Sequence, residues 1–243
     1  MKLAELLEHT AGELLDDRTA LIDGANDSLF SDELIVRYMN EGMRRLCRRA
    51  WVLVDIGHPQ AGTIVLVTGK DRYTLDKSVL RVLDATVEDD VSPLPRHGDV
   101  ALRSPRPYNP DFTYDLSGEA STGRPYAFAS DTATRQIRVY PTPTSTENGL
   151  RVTLRVVRMP YELLDVSKPD AEPEVSEEYH LALCDYAAGR CLTQSTSGDA
   201  GNKTEGRNLL DGFEALIKEA RQDMTRAGMT SAVWNFASTT AVV

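Results

Sequence analysis

Four arginines crowd one stretch of this sequence: Arg44, Arg45, Arg48 and Arg49 in GMRRLCRRA. Placed on a helix, such a cluster presents guanidinium forks that bind phosphate oxygens or carboxylates in bidentate fashion. The plainer reading is a solvated helix end, where cations also complement the negative pole of the macrodipole. Asp32, Glu33 and Glu41 dilute the positive charge around them. The residues alone leave DNA, an acidic partner and a neighbouring subunit all open as targets.

Other groups could in principle do chemistry. Glu177-Glu178-Tyr179-His180 contains a Glu-x-x-His pair, the spacing that di-iron bundles use. Such a site needs a second copy of the pair and two further inward carboxylates, and no second Glu-x-x-His exists, so His180 reads as a packed or surface histidine. Cys184 and Cys191 share a helix face, but neither they nor Cys47 has a Cys or His neighbour at ligand spacing. They read as small core residues. SGDAGNKT (197–204) resembles a phosphate loop only in passing, because Lys203 stands where G-x-x-x-x-G-K-[ST] requires its second glycine. There is no G-x-S-x-G and no H-E-x-x-H. The expectation is no catalytic residue, no metal and no cofactor.

Composition narrows the class. With 243 residues and 41% apolar content the chain can bury one good core, or one core and a smaller lobe. A net charge of −10 disfavours wrapping of nucleic acid, although an acidic wall beside DNA would repel it and prevent sticking. Three cysteines without framework spacing suit a reducing compartment. The start, MKLAELLEHTAGELLDD, is interrupted by Glu5, Glu8 and Glu13, as a signal peptide would not be. The protein is expected to be soluble and intracellular.

The elements follow from periodicity. Leu3, Leu6, Leu7, Leu14 and Leu15 give residues 2–15 one apolar helical face. A second helix is read over 31–55, capped by Ser31 and opened by Asp32 and Glu33. From 62 to 158 the pattern is β: a hairpin of 62–67 and 72–75 around Thr68-Gly69-Lys70-Asp71, then strands at 79–87, 125–130, 135–141 and 150–158. Residues 92–125, rich in Pro, Arg and Gly, read as a long flap. The acidic stretch 162–178 reads as a solvated linker whose Pro169 and Pro173 block helix until Ser176. Helices return over 175–194 and 202–226.

The expected fold class is therefore α+β: a four-helix antiparallel bundle with an inserted small antiparallel β-sandwich or barrel lobe and an extended C-terminal tail. The divisions are 1–60, N-terminal helices; 61–160, β insert with its flap; 161–228, C-terminal helices; and 229–243, tail. The final stretch TSAVWNFASTTAVV (230–243) carries no Asp, Glu, Lys or Arg. Val233, Trp234, Phe236, Val242 and Val243 would each gain about 1.5–3 kcal/mol on full burial. Extended, the stretch reaches roughly 45 Å, enough to cross onto another chain. The alternative is that it folds back or frays.

Four stretches taken in order carry a resemblance: SDELIVRYMNEGMRRLCRRA, GTIVLVTGKDRYTLDKSVLRVLDA, GRPYAFASDTATRQIRVYPTP and MPYELLDVSKPDAEPEVSEEYHLALCDYAAGRCL. Together they resemble the head-to-tail adaptors of tailed bacteriophages, especially the tail tubular protein A group of short-tailed phages, over most of residues 31–225. The resemblance implies a virion protein of the phage neck, assembled in the host cytoplasm. It implies a homo-oligomeric ring, typically of twelve copies, between the portal protein and a tail or nozzle protein. DNA would pass through the channel without sequence-specific binding, and no membrane is involved. The family has no catalytic signature. Its C-terminal segment commonly docks on the portal, the role this implies for Val233, Trp234, Phe236, Val242 and Val243. Two other readings stand beside it. One is a small-oligomer binding module with the β insert as ligand lobe and residues 103–110 as its lid; the other is a hydrolase with carboxylates in that lobe.

Overall fold

The computed structural model describes residues 1–15, 29–88, 100–102, 122–131, 135–194 and 200–234. The chain divides into two units, one of residues 1–53 with 160–243 and the other of residues 54–159. The first is helical and the second is built of two antiparallel sheets, so the fold is α+β.

In the helical unit, α1 (Leu3–Glu8) buries Leu3, Leu6 and Leu7 and runs into a π-helical turn, His9–Leu14. The amide of Leu15 reaches back five residues to the Thr10 carbonyl at 3.0 Å. The buried Thr10 hydroxyl returns its hydrogen to the Leu6 carbonyl at 2.8 Å. Helix α2 (Asp32–Ala50) starts where Ser31 Oγ accepts the Leu34 amide. It ends earlier than residue 55. Trp51 takes a left-handed conformation, φ 66°, costly for a residue with a Cβ, and its indole lies under the Arg221 guanidinium. Residues 54–56 are then extended in the other unit.

Helix α3 (His180–Gln194), preceded by a 3₁₀ turn at Glu177–Tyr179, is buried on nearly every side. Its small residues let neighbours come close. A Cβ on Gly189 would stand 2.8 Å from the Gly206 carbonyl oxygen of α4 (Ala200–Trp234), and one on Gly206 would stand 3.0 Å from the Gly189 oxygen. On α2, a Cβ at Gly42 would meet the Tyr186 ring at 2.9 Å. Tyr186 in turn packs on Phe213 of α4, ring centres 4.8 Å apart.

The acidic stretch 162–178 is not a free linker. Its Ala171 and Pro169 carbonyls accept the Leu3 and Ala4 amides at 2.8 and 3.0 Å, satisfying donors that the first turn of α1 leaves open. Asn40 pairs reciprocally with the backbone of Leu164, donating at 2.8 Å and accepting at 2.9 Å. Glu174 receives the Tyr161 and Glu162 amides. A carboxylate read as solvated charge thus serves as a local backbone acceptor.

In the sheet unit, β8 (Arg151–Arg158) is central. It pairs with β4 (Val79–Val87) on one side, and with β1 (Val54–Ile56) and β2 (Thr63–Val65) on the other; β5 (Val100–Leu102) lies beyond β4. A second sheet has the order β3 (Arg72–Thr74), β7 (Gln136–Tyr140), β6 (Ala127–Asp131). The β6–β7 pair forms as its alternation predicts, with Phe128 and Val139 opposite and both buried. The expected hairpin of 62–67 with 72–75 does not. A turn does occur, with Gly69 at φ +75° and the Lys70 amide on the Val67 carbonyl. The Tyr73 hydroxyl pins it, accepting from the Val67 amide and donating to the Lys70 carbonyl. It carries the chain from one sheet to the other, because β2 pairs with β8 and β3 with β7.

The C-terminal stretch also departs from expectation. Helix α4 runs to Trp234, so residues 229–234 are helical rather than extended. No proline interrupts the run, and the small residues there accept helix. Phe236, Val242 and Val243 lie outside the described residues, as does the flap segment 103–110.

The α3–α4 crossing gives a direct test. Gly206→Ala should destabilise the protein by about 1–3 kcal/mol in urea unfolding, because its Cβ meets backbone on α3. Gly212→Ala, on the same helix with nothing within 4 Å of its Cβ, should instead stabilise by about 1 kcal/mol.

Candidate interaction site

The arginines of α2 separate into two pairs with different surroundings. Arg45 and Arg49 turn toward α4, where Glu214 holds both: Arg45 Nη2 lies 2.5 Å from one carboxylate oxygen, and Arg49 Nη1 binds the other. Glu214 is one quarter exposed, so this clamp joins two helices in a partly dehydrated setting. Arg44 and Arg48 are exposed and make no ion pair among the described residues. The cluster that appears continuous in sequence therefore spends two of its charges inside the fold and leaves two outside.

Beside the clamp lies a second polar knot between α2 and α3. Glu41 accepts from the Tyr186 hydroxyl at 2.8 Å and from Arg190 Nη1 at 2.7 Å, and Arg190 also reaches the Tyr186 oxygen at 3.2 Å. The Arg190 guanidinium stands over the Tyr38 ring at 5.1 Å. Burial first, and then the hydrogen bond to Glu41, push the Tyr186 phenol above its ordinary pKa. The hydroxyl thus stays a donor at neutral pH. Between the two knots runs an open cleft of about 380 Å³ lined by Arg45, Tyr186, Arg190, Thr193, Leu210, Asp211 and Glu214. Its cations already face carboxylates of the same chain.

None of these partners is visible in the sequence. Glu214 stands 165 residues from Arg49, and Glu41 stands 149 from Arg190. Glu41 reads locally as a charge that dilutes the arginine cluster, whereas its carboxylate is committed to α3. The functional expectations for Val233 and Trp234 fall on the last turn of α4, where only the backbone is described; Phe236, Val242 and Val243 fall outside the described residues.

The remaining candidates are structural. His180 is buried, its Nε2 donating to the Val175 carbonyl at 3.0 Å and its Nδ1 lying 3.1 Å from the Met1 amine, which Glu177 also approaches at 3.4 Å. The Glu-x-x-His spacing thus gathers two groups around an amine rather than half a metal site. Among the described residues no three His, Cys, Asp or Glu side chains converge to hold a metal. All three cysteines are buried, and no described helix is long and apolar enough to cross a membrane.

The described residues thus give a helical unit stapled by internal ion pairs and a unit of two antiparallel sheets. The model of the SU10 adaptor protein family matches residues 1–235. The chain belongs to this family of phage head-to-tail adaptors. A search of curated proteins finds no match. The matched span runs from α1 through the last turn of α4 and takes in the whole of the sheet unit.

Two outcomes follow from the site's geometry. Glu214→Ala should lower stability by about 1 kcal/mol, the scale of a partly exposed ion pair, with the loss shrinking at high salt in denaturant titrations. Burial pushes the Cys184 thiol up to about 11, so it should resist a thiol-disulfide reagent at pH 8 until the protein is unfolded.

Proposed function

We propose that this adaptor is a structural, non-enzymatic connector that assembles as a ring between the portal and the tail or nozzle of the phage, with DNA passing through its channel. The observation that carries this reading is the family match across residues 1–235, which takes in the helical unit and the inserted sheets together. In this reading α1–α4 act as a four-helix antiparallel bundle that builds the ring wall, in twelve copies. The sheet unit presents surface to tail components. The ring forms in the host cytoplasm and ends in the virion neck. An acidic chain suits a channel wall that DNA must slide past without adhering.

The portal contact is assigned to the uncharged C-terminal stretch, with Val233, Trp234, Phe236, Val242 and Val243 as its apolar anchors. Many weak anchors acting at once would hold a ring firmly although each is modest alone. Of the four arginines read as inter-subunit or phosphate contacts, Arg44 and Arg48 keep that role, since Arg45 and Arg49 are occupied by Glu214.

Mass photometry of the purified chain, alone and mixed with its portal, tests this directly. Full-length protein should form ring-sized particles on the portal, and a chain ending at Met229 should lose them. A full-length chain that stays monomeric beside the portal would remove the connector reading. Unchanged portal binding by the shortened chain would remove the role given to the C-terminal stretch alone.

A further inference from the structure

Arg44 and Arg48 are not alone on their face of α2. At 100° per residue Arg37, Arg44 and Arg48 fall within about 40° of one line and span roughly 16 Å along the helix. That line lies opposite the buried Ile35, Met39, Met43 and Leu46. All three arginines are exposed, and none has an ion pair among the described residues. Glu41, the carboxylate nearest in spacing, is held by Tyr186 and Arg190; Glu33 stands at the helix start. A row of three unspent guanidinium groups on a chain of net charge −10 is a surface feature that the fold of one copy does not use.

The same unit carries a matching feature elsewhere. Glu219 and Asp223 sit one turn apart on α4, and both are exposed. Glu178 of the 3₁₀ turn joins them around Tyr179, whose phenol is raised above its ordinary pKa by burial and then by the charges of Glu178, Asp223 and Glu219. Arg226, itself exposed, lies 3.3 Å from Asp223, and the exposed Lys218 precedes Glu219. Two exposed carboxylates thus stand one turn apart on α4, with Glu178 acting electrostatically on the same phenol, on elements other than the one that bears the arginines.

We propose that the Arg37–Arg44–Arg48 face of α2 docks on the Glu178–Glu219–Asp223 cluster of a second copy of this chain. The inference rests on the ring reading above and names the surfaces that would join its copies. Guanidinium and carboxylate are matched in number, and their planar forks match in shape. Because donor and acceptor surfaces are different parts of one unit, each docking leaves a free surface of each kind. That is the heterologous contact from which rings and filaments grow. A DNA backbone fits the arginine face less well, since Glu33 and the overall negative charge would repel phosphate.

Charge reversal tests the pairing. Two variants, Arg44→Glu/Arg48→Glu and Glu219→Arg/Asp223→Arg, should each reduce the ring-sized fraction in mass photometry roughly tenfold or more, because like charges would then face each other. An equimolar mixture of the two should restore rings, since every contact between alternating copies is again of opposite sign. Circular dichroism and melting curves establish that both variants are folded. If both folded variants assemble as the parent does, or if the mixture stays apart, the proposed pairing is wrong while the connector reading stands. A parent chain that never assembles, alone or with the portal, overturns both. If the arginine variant assembles normally but loses affinity for a labelled duplex in anisotropy, the face binds phosphate and the proposal falls.

Discussion

The crossing of α3 and α4 at Gly189 and Gly206 governs the helical unit. Each glycine occupies the space that the other's side chain would need, so the two backbones meet with only hydrogens between them. Contact at this range brings Phe213, one and a half to two turns further along α4, onto Tyr186 of α3. Tyr186 is held from the other side by Gly42, which has no Cβ to push it away. The three helices are therefore positioned by absent side chains as much as by present ones. With α4 so placed, the residue after Phe213 is Glu214, and it arrives between Arg45 and Arg49. A larger residue at either glycine would widen the crossing and draw that carboxylate away from its two cations.

In the sheet unit, β8 has the comparable role. It pairs with β4 on one side and with both β1 and β2 on the other, and its buried Val152, Leu154 and Val156 alternate as one face of the larger sheet. Its outer neighbour is assembled from two pieces, β1 and β2, interrupted by residues 57–62. The interruption keeps the ladder in register because the Gly57 amide reaches the Leu154 carbonyl and the Leu154 amide reaches the Gly62 carbonyl. A strand made from separated segments depends on a continuous partner, so β8 must be both long and regular.

Legibility in the sequence tracked how local the deciding interaction is. The start of α2 is readable because Ser31 caps its own first turn, and β7 and β8 are readable because alternation survives in each; β4 is found by its run of β-branched and apolar residues, although its ladder to β8 shifts register. The end of α2 is not, since the stop at Trp51 depends on Arg221, far along the chain. The turn at Thr68–Asp71 was visible, but the strands it joins belong to different sheets, and pairing is decided by β7 and β8. The arginine cluster was visible as a cluster. Its division into two internal and two external charges required Glu214, and nothing in local spacing points to that residue.

That division bears on what an assembling protein can do with its charges. A guanidinium clamped between helices has lost the freedom and the open valence that a partner could use, so Arg45 and Arg49 shape the wall but add little to its outside. Exposed arginines held on a rigid, fully packed helix are different. Their backbone positions are fixed by the buried face of α2, while only the side chains must be ordered on contact. Repeating such a contact around a ring requires the same angle at every joint, and angular error accumulates with copy number. A helix positioned by a glycine crossing, an ion-pair clamp and a capped first turn has little room to tilt. In the proposed ring the internal charges would act indirectly, by holding still the surface on which the external ones stand.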